Sequence, residues 1–383
     1  AAATRFKRFT RTEPGMAKYR IGIIGRTGKG NYGHGLDVPW QHLPNCEVVA
    51  VADEHEGGRT AAIARTGAQK GYADYREMLA KERLNIAVIC PRWIDAHHEI
   101  ITACAEHGCH MYLEKPFCRT LAEADDIVNA CEMRHLKFVI AHTNRWTPQL
   151  LVVRQMIRDG QLGDILEVRA RGKEDSKRGG GEDLWVLGSH MLDLMRALFG
   201  DVQSCYATVR EGGEPITKQH VREGNEGIGP LAGDHVESMY RFKSGLTGFF
   251  SSRRGAGGSP TRFGLTIYGS KGIVQMQSGF LRPAYFLGDS SWSPGRSGAK
   301  WQPISSNGVG KPETMQAGGH SDSNMLAAQH LLDCIEKNLD PVSSVYDARA
   351  ATEMIVGIFE SHRTGGPVSF PLKNRQNPLT MLK

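Results

Sequence analysis

The chain has 383 residues, 40% of them hydrophobic and 23% charged, which is an ordinary soluble composition and more length than one core usually serves, so two domains are expected. No apolar run approaches the roughly 18 residues that a membrane helix needs, and the net charge of +6 is scattered rather than massed in a Lys/Arg run, so neither a membrane nor a nucleic acid is expected as a partner. Eight cysteines without a CxxC pair, mostly in apolar surroundings, read as reduced core thiols and point to a reducing compartment such as the cytoplasm.

Ala1–Gly15 is basic and has no apolar segment of the signal-peptide kind, so residues 1–18 are set aside as a tail. Tyr19–Gly25, Cys46–Asp53, Asn85–Cys90, His110–Glu114 and Lys137–Ala141 are short apolar runs that read as buried parallel strands. Between them, Arg59–Thr66, Tyr75–Lys81, Ala96–His107 and Leu121–His135 carry apolar residues at helical spacing. Strand and helix alternate, which predicts an α/β doubly wound parallel sheet of the Rossmann type over 19–143. From residue 144 the texture changes. Helices are predicted at Pro148–Asp159, Asp183–Leu198, Ser323–Asn338 and Ala348–His362. Strands are predicted at Ile165–Arg171, Val202–Arg210, His235–Arg241, Gly245–Ser252, Phe263–Tyr268 and Gly272–Gln277, with turn signals between them. Residues 286–319 read as a long surface loop. The second domain, 144–383, is therefore expected to be α+β, with a large, mostly antiparallel, open-faced sheet.

The first strand opens into Gly25-Arg26-Thr27-Gly28-Lys-Gly30, a glycine-rich turn of the sort that lets backbone approach a pyrophosphate, whose charge then meets the next helix N-terminus. The spacing is not a clean GxGxxG. Asp53 ends the second strand 28 residues after Gly25, where an acid can accept hydrogen bonds from ribose hydroxyls; the alternative is a solvated strand-end acid. A carboxylate repels a 2′-phosphate, so NAD is favoured over NADP, with Arg26 as the opposing hint. Glu114-Lys115-Pro116 ends the fourth strand, at the edge where an open α/β sheet gathers ligands.

The segment Ile89-Cys-Pro91…His97-His-Glu99…Gly108-Cys-His110-Met-Tyr-Leu-Glu114-Lys115-Pro116 resembles the glucose–fructose oxidoreductase/inositol dehydrogenase (Gfo/Idh/MocA) family. Gly71-Tyr-Ala-Asp-Tyr75, Asn144-Arg145-Trp-Thr-Pro148, Gly160-Gln-Leu-Gly163-Asp-Ile165, Gly269-Ser-Lys-Gly272 and Asp340-Pro341 extend the likeness along nearly the whole chain. The cofactor side is expected to comprise Gly25, Arg26, Thr27, Gly28, Gly30, Asp53, Pro91, His97, Glu114, Lys115 and Asn144. The resemblance implies a helix reading Asp-x-Gly-x-His-x-x-Asp, whose first aspartate and histidine join the lysine at the substrate. Here the helix reads Val186-Leu-Gly188-Ser-His190-Met-Leu-Asp193, with valine at the first aspartate's place. Asp183, three residues before Val186 and seven before His190, shares a helical face with both and can supply the carboxylate; its other reading is an N-cap. The catalytic expectation is thus Lys115, His190 and Asp183. His97 and His98 have no third ligand at a metal-site spacing, and no metal is expected.

These readings predict an NAD-dependent oxidoreductase that moves hydride between nicotinamide and a secondary alcohol of a sugar, polyol or cyclitol. The alternative is an NAD-retaining glycosidase or sugar lyase/hydratase working through a transient keto-sugar. A third reading is a dinucleotide-binding sensor without chemistry. The resemblance also implies a homodimer or homotetramer built on the open sheet face.

Overall fold

The protein is described here from a computed structural model, which covers residues 19–317 and 320–383; the tail expected over 1–18 lies outside the described residues. The apolar runs of the first third become six parallel strands. These are β1 (Tyr19–Ile24), β2 (Cys46–Ala52), β3 (Lys70–Tyr72), β4 (Ile86–Ile89), β5 (His110–Leu113) and β6 (Phe138–Ile140), ordered β3-β2-β1-β4-β5-β6. Strands β1 and β4–β6 are buried nearly throughout because helices cover both faces of the sheet. The helices are α1 (Glu56–Thr66), α2 (Tyr75–Glu82), α3 (His97–Glu106) and α4 (Leu121–Glu132). Their ends follow local chemistry. Asp74 and Thr120 accept from the first-turn amides of α2 and α4, and Gly67 closes α1 in the left-handed region. The order reverses at β1/β4, which opens a crevice at the carboxyl edge.

The second half begins with α5 (Pro148–Arg158) and β7 (Ile165–Arg171). Then come α6 (Gly181–Asp183), a π-helical turn at Leu184–Gly188 and α7 (Ser189–Phe199). Strands β8 (Val202–Glu211), β9 (Glu214–Pro215), β10 (Arg222–Glu223) and β11 (Pro230–Leu231) follow, then β12 (His235–Phe242), β13 (Thr247–Arg253), β14 (Gly264–Gly269), β15 (Gly272–Gln277) and β16 (Ala284–Leu287). The segment expected as a long loop instead holds α8 (Pro294–Ser297), β17 (Gln302–Ser305) and β18 (Gly308–Val309). Two helices, α9 (His320–Lys337) and α10 (Val345–Thr364), and β19 (Val368–Ser369) complete the chain's elements. Ten strands order as β18-β17-β16-β15-β14-β7-β13-β12-β8-β19, with β9 on β8; only β7 and β13 pair in parallel. One face of this sheet, with Val168, Ala170, Val236, Tyr240 and Phe250, packs under α7 and α10. The period-2 alternation leaves Arg169, Tyr206, Met239 and Tyr285 outward.

The last helices return to the first sheet. Ala327, Ala328, Leu331 and Leu332 of α9 share a core with Trp40 and Tyr112, and Val345 and Ala348 open α10 in the core beside α4. Further along α10, Met354, Ile355, Ile358 and Phe359 belong to the core of the large sheet. All eight cysteines are unpaired, seven of them buried. Among the described residues, no helix is long and apolar enough to cross a membrane.

Candidate active site

The glycine turn closes on itself by an antiparallel bridge between Arg26 and Asn31, with Arg26 N donating to Asn31 O at 3.1 Å and Asn31 N to Arg26 O at 3.0 Å. Gly28 N donates to the Asn31 side chain at 2.9 Å. The expected helix does not follow. The next helical element along the chain is a four-residue 3-10 turn, Pro39–His42, so the turn does not run straight into a helix. Gly30 has φ 87°, and a Cβ there would lie 2.3 Å from Arg92 N; at Gly33, φ 61°, it would lie 2.5 Å from Glu114 Oε2. The turn therefore sits directly on the carboxyl ends of β4 and β5, as close as backbone allows. Asp53, buried at the end of β2, accepts from Thr27 Oγ1 at 2.7 Å, Thr27 N at 3.2 Å and His55 N at 3.0 Å. Arg26 is held by Asp95, 2.7 Å away.

Beyond β5, Glu114 and Lys115 are both buried. Glu114 Oε2 receives His34 N at 3.1 Å and lies 3.0 Å from His34 Nδ1, while Oε1 accepts from Lys115 N at 3.1 Å. Burial pushes the Glu114 carboxyl up, but the His34 charge and hydrogen bond outweigh it and bring the pKa down to about 2. Lys115 Nζ reaches across to the second half of the chain and donates to Val186 O at 3.0 Å. Burial lowers its pKa, against the opposing pull of Glu114 and Glu226.

The π-helical turn Leu184–Gly188 explains both that contact and the failure of the helical-face argument. Its i→i+5 winding shifts the phase of everything before Gly188 relative to α7. Asp183 consequently faces the large sheet rather than the cavity. Its Oδ2 accepts from Ser252 Oγ at 2.5 Å and Glu174 N at 3.1 Å. Burial raises its pKa to about 6. At the place of the missing aspartate, Val186 offers Lys115 its backbone carbonyl.

His190 is buried where α7 meets the cavity, and among the described residues its Nδ1 has no hydrogen-bond partner. Burial first, and the Lys115 charge second, hold its pKa well below the imidazole range, so it is a neutral base. Its ring stands edge-on to His142, with centroids 5.7 Å apart. His142 Nδ1 lies 3.1 Å from Asp193, which Arg145 grips with two bonds of 2.6 and 2.7 Å. Asp193 thus braces His142 and the β6 end.

A cavity of about 620 Å³ collects these groups: Glu114, Lys115, Val186 and His190 line it with Arg92 and Glu226. Pro91, His97 and Asn144 stand behind it. His97 is fully buried, its two ring nitrogens 2.7 Å from Pro91 O and 3.1 Å from Phe117 O. It ties together the loops after β4 and β5. Asn144 is engaged with Ser278 Oγ at 3.0 Å and Gly279 N at 2.8 Å. Among the described residues, no group of three or more His, Cys, Asp or Glu could hold a metal ion.

Residues 19–142 match an oxidoreductase family, Gfo/Idh/MocA, by its NAD-binding Rossmann fold, and residues 154–370 match its C-terminal alpha/beta domain. The chain belongs to this family. D-apiose dehydrogenase of Paraburkholderia graminis is 28% identical over 48% of this chain and 51% of its own. Levoglucosan dehydrogenase of Pseudarthrobacter phenanthrenivorans is 25% identical over 62% of this chain and 66% of its own. The matched part thus spans about half to two-thirds of these relatives. A solved levoglucosan dehydrogenase, in complex with NADH and levoglucosan, shares the fold with a TM-score of 0.75 at 20% identity, over 92% of this chain and 99% of that one.

NAD fits the Gfo/Idh/MocA site found here. The cavity at Lys115 lies on one side of the glycine turn. A smaller cleft, lined by Gly25, Arg26, Asp53, Tyr75 and Arg76, lies on the other. A dinucleotide has two halves joined by a pyrophosphate, and Gly28 of the turn faces open space. His34, Arg92, His142 and Glu226 escaped the sequence reading. His142 alone carried a signal, because it directly follows the fifth apolar run.

Proposed function

We propose that the protein is an NAD-dependent oxidoreductase acting on a secondary alcohol of a sugar, polyol or cyclitol. The observation that carries this reading is the meeting of buried Lys115 and buried His190 in one cavity beside the glycine turn. NAD, when bound, supplies the hydride acceptor. Gly25, Thr27, Gly28, Gly30 and Asp53 would hold it, with His97, Pro91 and Asn144 bracing the loops behind. Asp53 favours NAD over NADP, and the Arg26–Asp95 pair keeps the guanidinium from a 2′-phosphate. His190 takes the hydroxyl proton on its imidazole. Lys115 Nζ donates to the same oxygen as alkoxide character develops. Val186, Leu187 and Phe280 form the cavity's apolar side.

Replacing Lys115 with Met is expected to lower kcat about 10²–10³-fold while the NAD Kd, read by fluorescence, stays within about threefold. Turnover near wild type across a polyol and sugar panel would remove Lys115 from the mechanism. A second reading, cleavage of a glycoside with NAD retained, draws on a glycosyl hydrolase family 109 protein of Shewanella sp., 26% identical over 45% of this chain and 40% of its own. Glycoside splitting with no net NADH absorbance would favour it.

Residues 19–143 are the dinucleotide half in this reading, and 144–383 the substrate and assembly half. The unpaired cysteines suit a reducing compartment such as the cytoplasm. The outward sheet face suits a homodimer or homotetramer.

A further inference from the structure

The site described above lacks an acid where the helix motif expects one: Val186 has none, and Asp183 is turned into the sheet. Two carboxylates reach the cavity among the described residues: Glu114, whose oxygens are taken up by His34 and Lys115 N, and a second from a different element. Glu226 lies in the connection between β10 and β11 and lines the same cavity as Lys115 and His190. Its Oε1 is 3.9 Å from Arg178 Nη1. Its Oε2 is buried and, among the described residues, has no hydrogen-bond partner.

The connection is built to hold that side chain in place. Gly224 N donates to Gly229 O at 2.8 Å, closing the loop at its base. Ile228 is buried in the core of the large sheet. Asn225 donates to Glu182 at 3.0 Å. Gly227 packs so tightly on Asp95 that a Cβ would lie 2.8 Å from the Asp95 Cβ. Between them Glu226 itself has φ 55°, in the left-handed region that disfavours side chains. Glycine would fit there at lower cost, yet a glutamate stands there and aims its charge into the cavity. That charge is also felt at the Lys115 ammonium, where it opposes burial.

The geometry points to Glu226 as the substrate-facing carboxylate of the active site, supplied from the loop instead of the helix: its carboxylate accepts a hydrogen bond from a substrate hydroxyl next to the reacting carbon. This rests on the dehydrogenase reading of Lys115. It ties substrate hold to a loop that touches the dinucleotide half at Asp95, the residue that also anchors Arg26.

The test compares Glu226→Gln, Glu226→Asp, Glu226→Gly and Lys115→Met in the NAD-loaded full chain. Glu226→Gln is expected to lower kcat/KM roughly 30–1,000-fold with NAD Kd within about threefold, and Glu226→Asp to recover part of the loss. Removing the negative charge lowers the Lys115 pKa, so the alkaline limb of activity moves to lower pH. The same displacement, roughly 0.5–1 pH unit, is expected in the NMR titration of the 13C-methylated lysine signal that Lys115→Met removes. Glu226→Gly relieves the left-handed backbone and is expected to melt no lower than wild type while being as slow as Glu226→Gln, which separates catalysis from folding. An unmoved Lys115 titration together with wild-type kcat/KM in Glu226→Gln overturns the proposal. If that happens while Lys115→Met is dead, only Glu226 falls; an active Lys115→Met overturns both readings.

Discussion

Asp183 shows how one buried carboxyl can look catalytic in sequence and be structural in space. Its folded pKa of about 6 stands above the 3.8 of an ordinary aspartate. Such a group favours the folded state fully below about pH 4, and that contribution is lost as pH rises through 6. The displacement corresponds to about 2–3 kcal/mol. Asp183→Asn keeps an acceptor for Ser252 and Glu174 and carries no charge. It is expected to hold activity within about threefold and to melt at or above wild type at pH 7. Its Tm should also change less than wild type between pH 4 and 6. A hundredfold loss of kcat with the Tm profile intact would return Asp183 to the chemistry. Glu114 works with the opposite sign. Its lowered pKa contributes stability above about pH 4.5, which is lost as pH falls toward 2.

At the scale of elements, the legible parts were those written as local pattern. The five apolar runs became β1, β2, β4, β5 and β6 because buried parallel strands need little but continuous apolar sequence. β3 was missed because Lys70–Tyr72 is a short, largely exposed edge strand with no apolar signature. β17 and β18 were hidden in Gly/Ser-rich sequence, where Ile304 alone is a buried apolar residue. The π-helical turn was invisible, since the residues of Leu184–Gly188 suit an α-helix equally well. Lys115, His190 and the glycine turn could be picked out because motif and strand end coincide. Glu226 could not, because its place depends on how a loop after β10 docks on the other half. The glycine turn carries its own test. Gly30→Ala puts a Cβ onto Arg92 N at a positive φ. It should cost about 1–3 kcal/mol, seen as a lower Tm and an NAD Kd raised at least tenfold, and wild-type values for both would mean the turn and the β4 end are not in contact in solution.

At the scale of the whole molecule, two features set behaviour: an uncovered sheet face and helices that double back. Tyr206, Met239 and Tyr285 stand exposed on the outer side of the large sheet, with Phe249 and Tyr268 among them beneath Arg169. Sedimentation is expected to give a dimer or tetramer, and a Met239→Lys, Tyr206→Lys double variant to give monomers that retain NAD binding; a monomeric wild type would leave the face without a partner of its own kind. The doubling back has a different consequence. α9 supplies four side chains to the core around Trp40, and α10 runs from the core beside α4 into that of the large sheet. The half that meets the nucleotide therefore has a core that its own segment does not complete: without α9 and α10, the sheet carrying the glycine turn would stand with one flank bare.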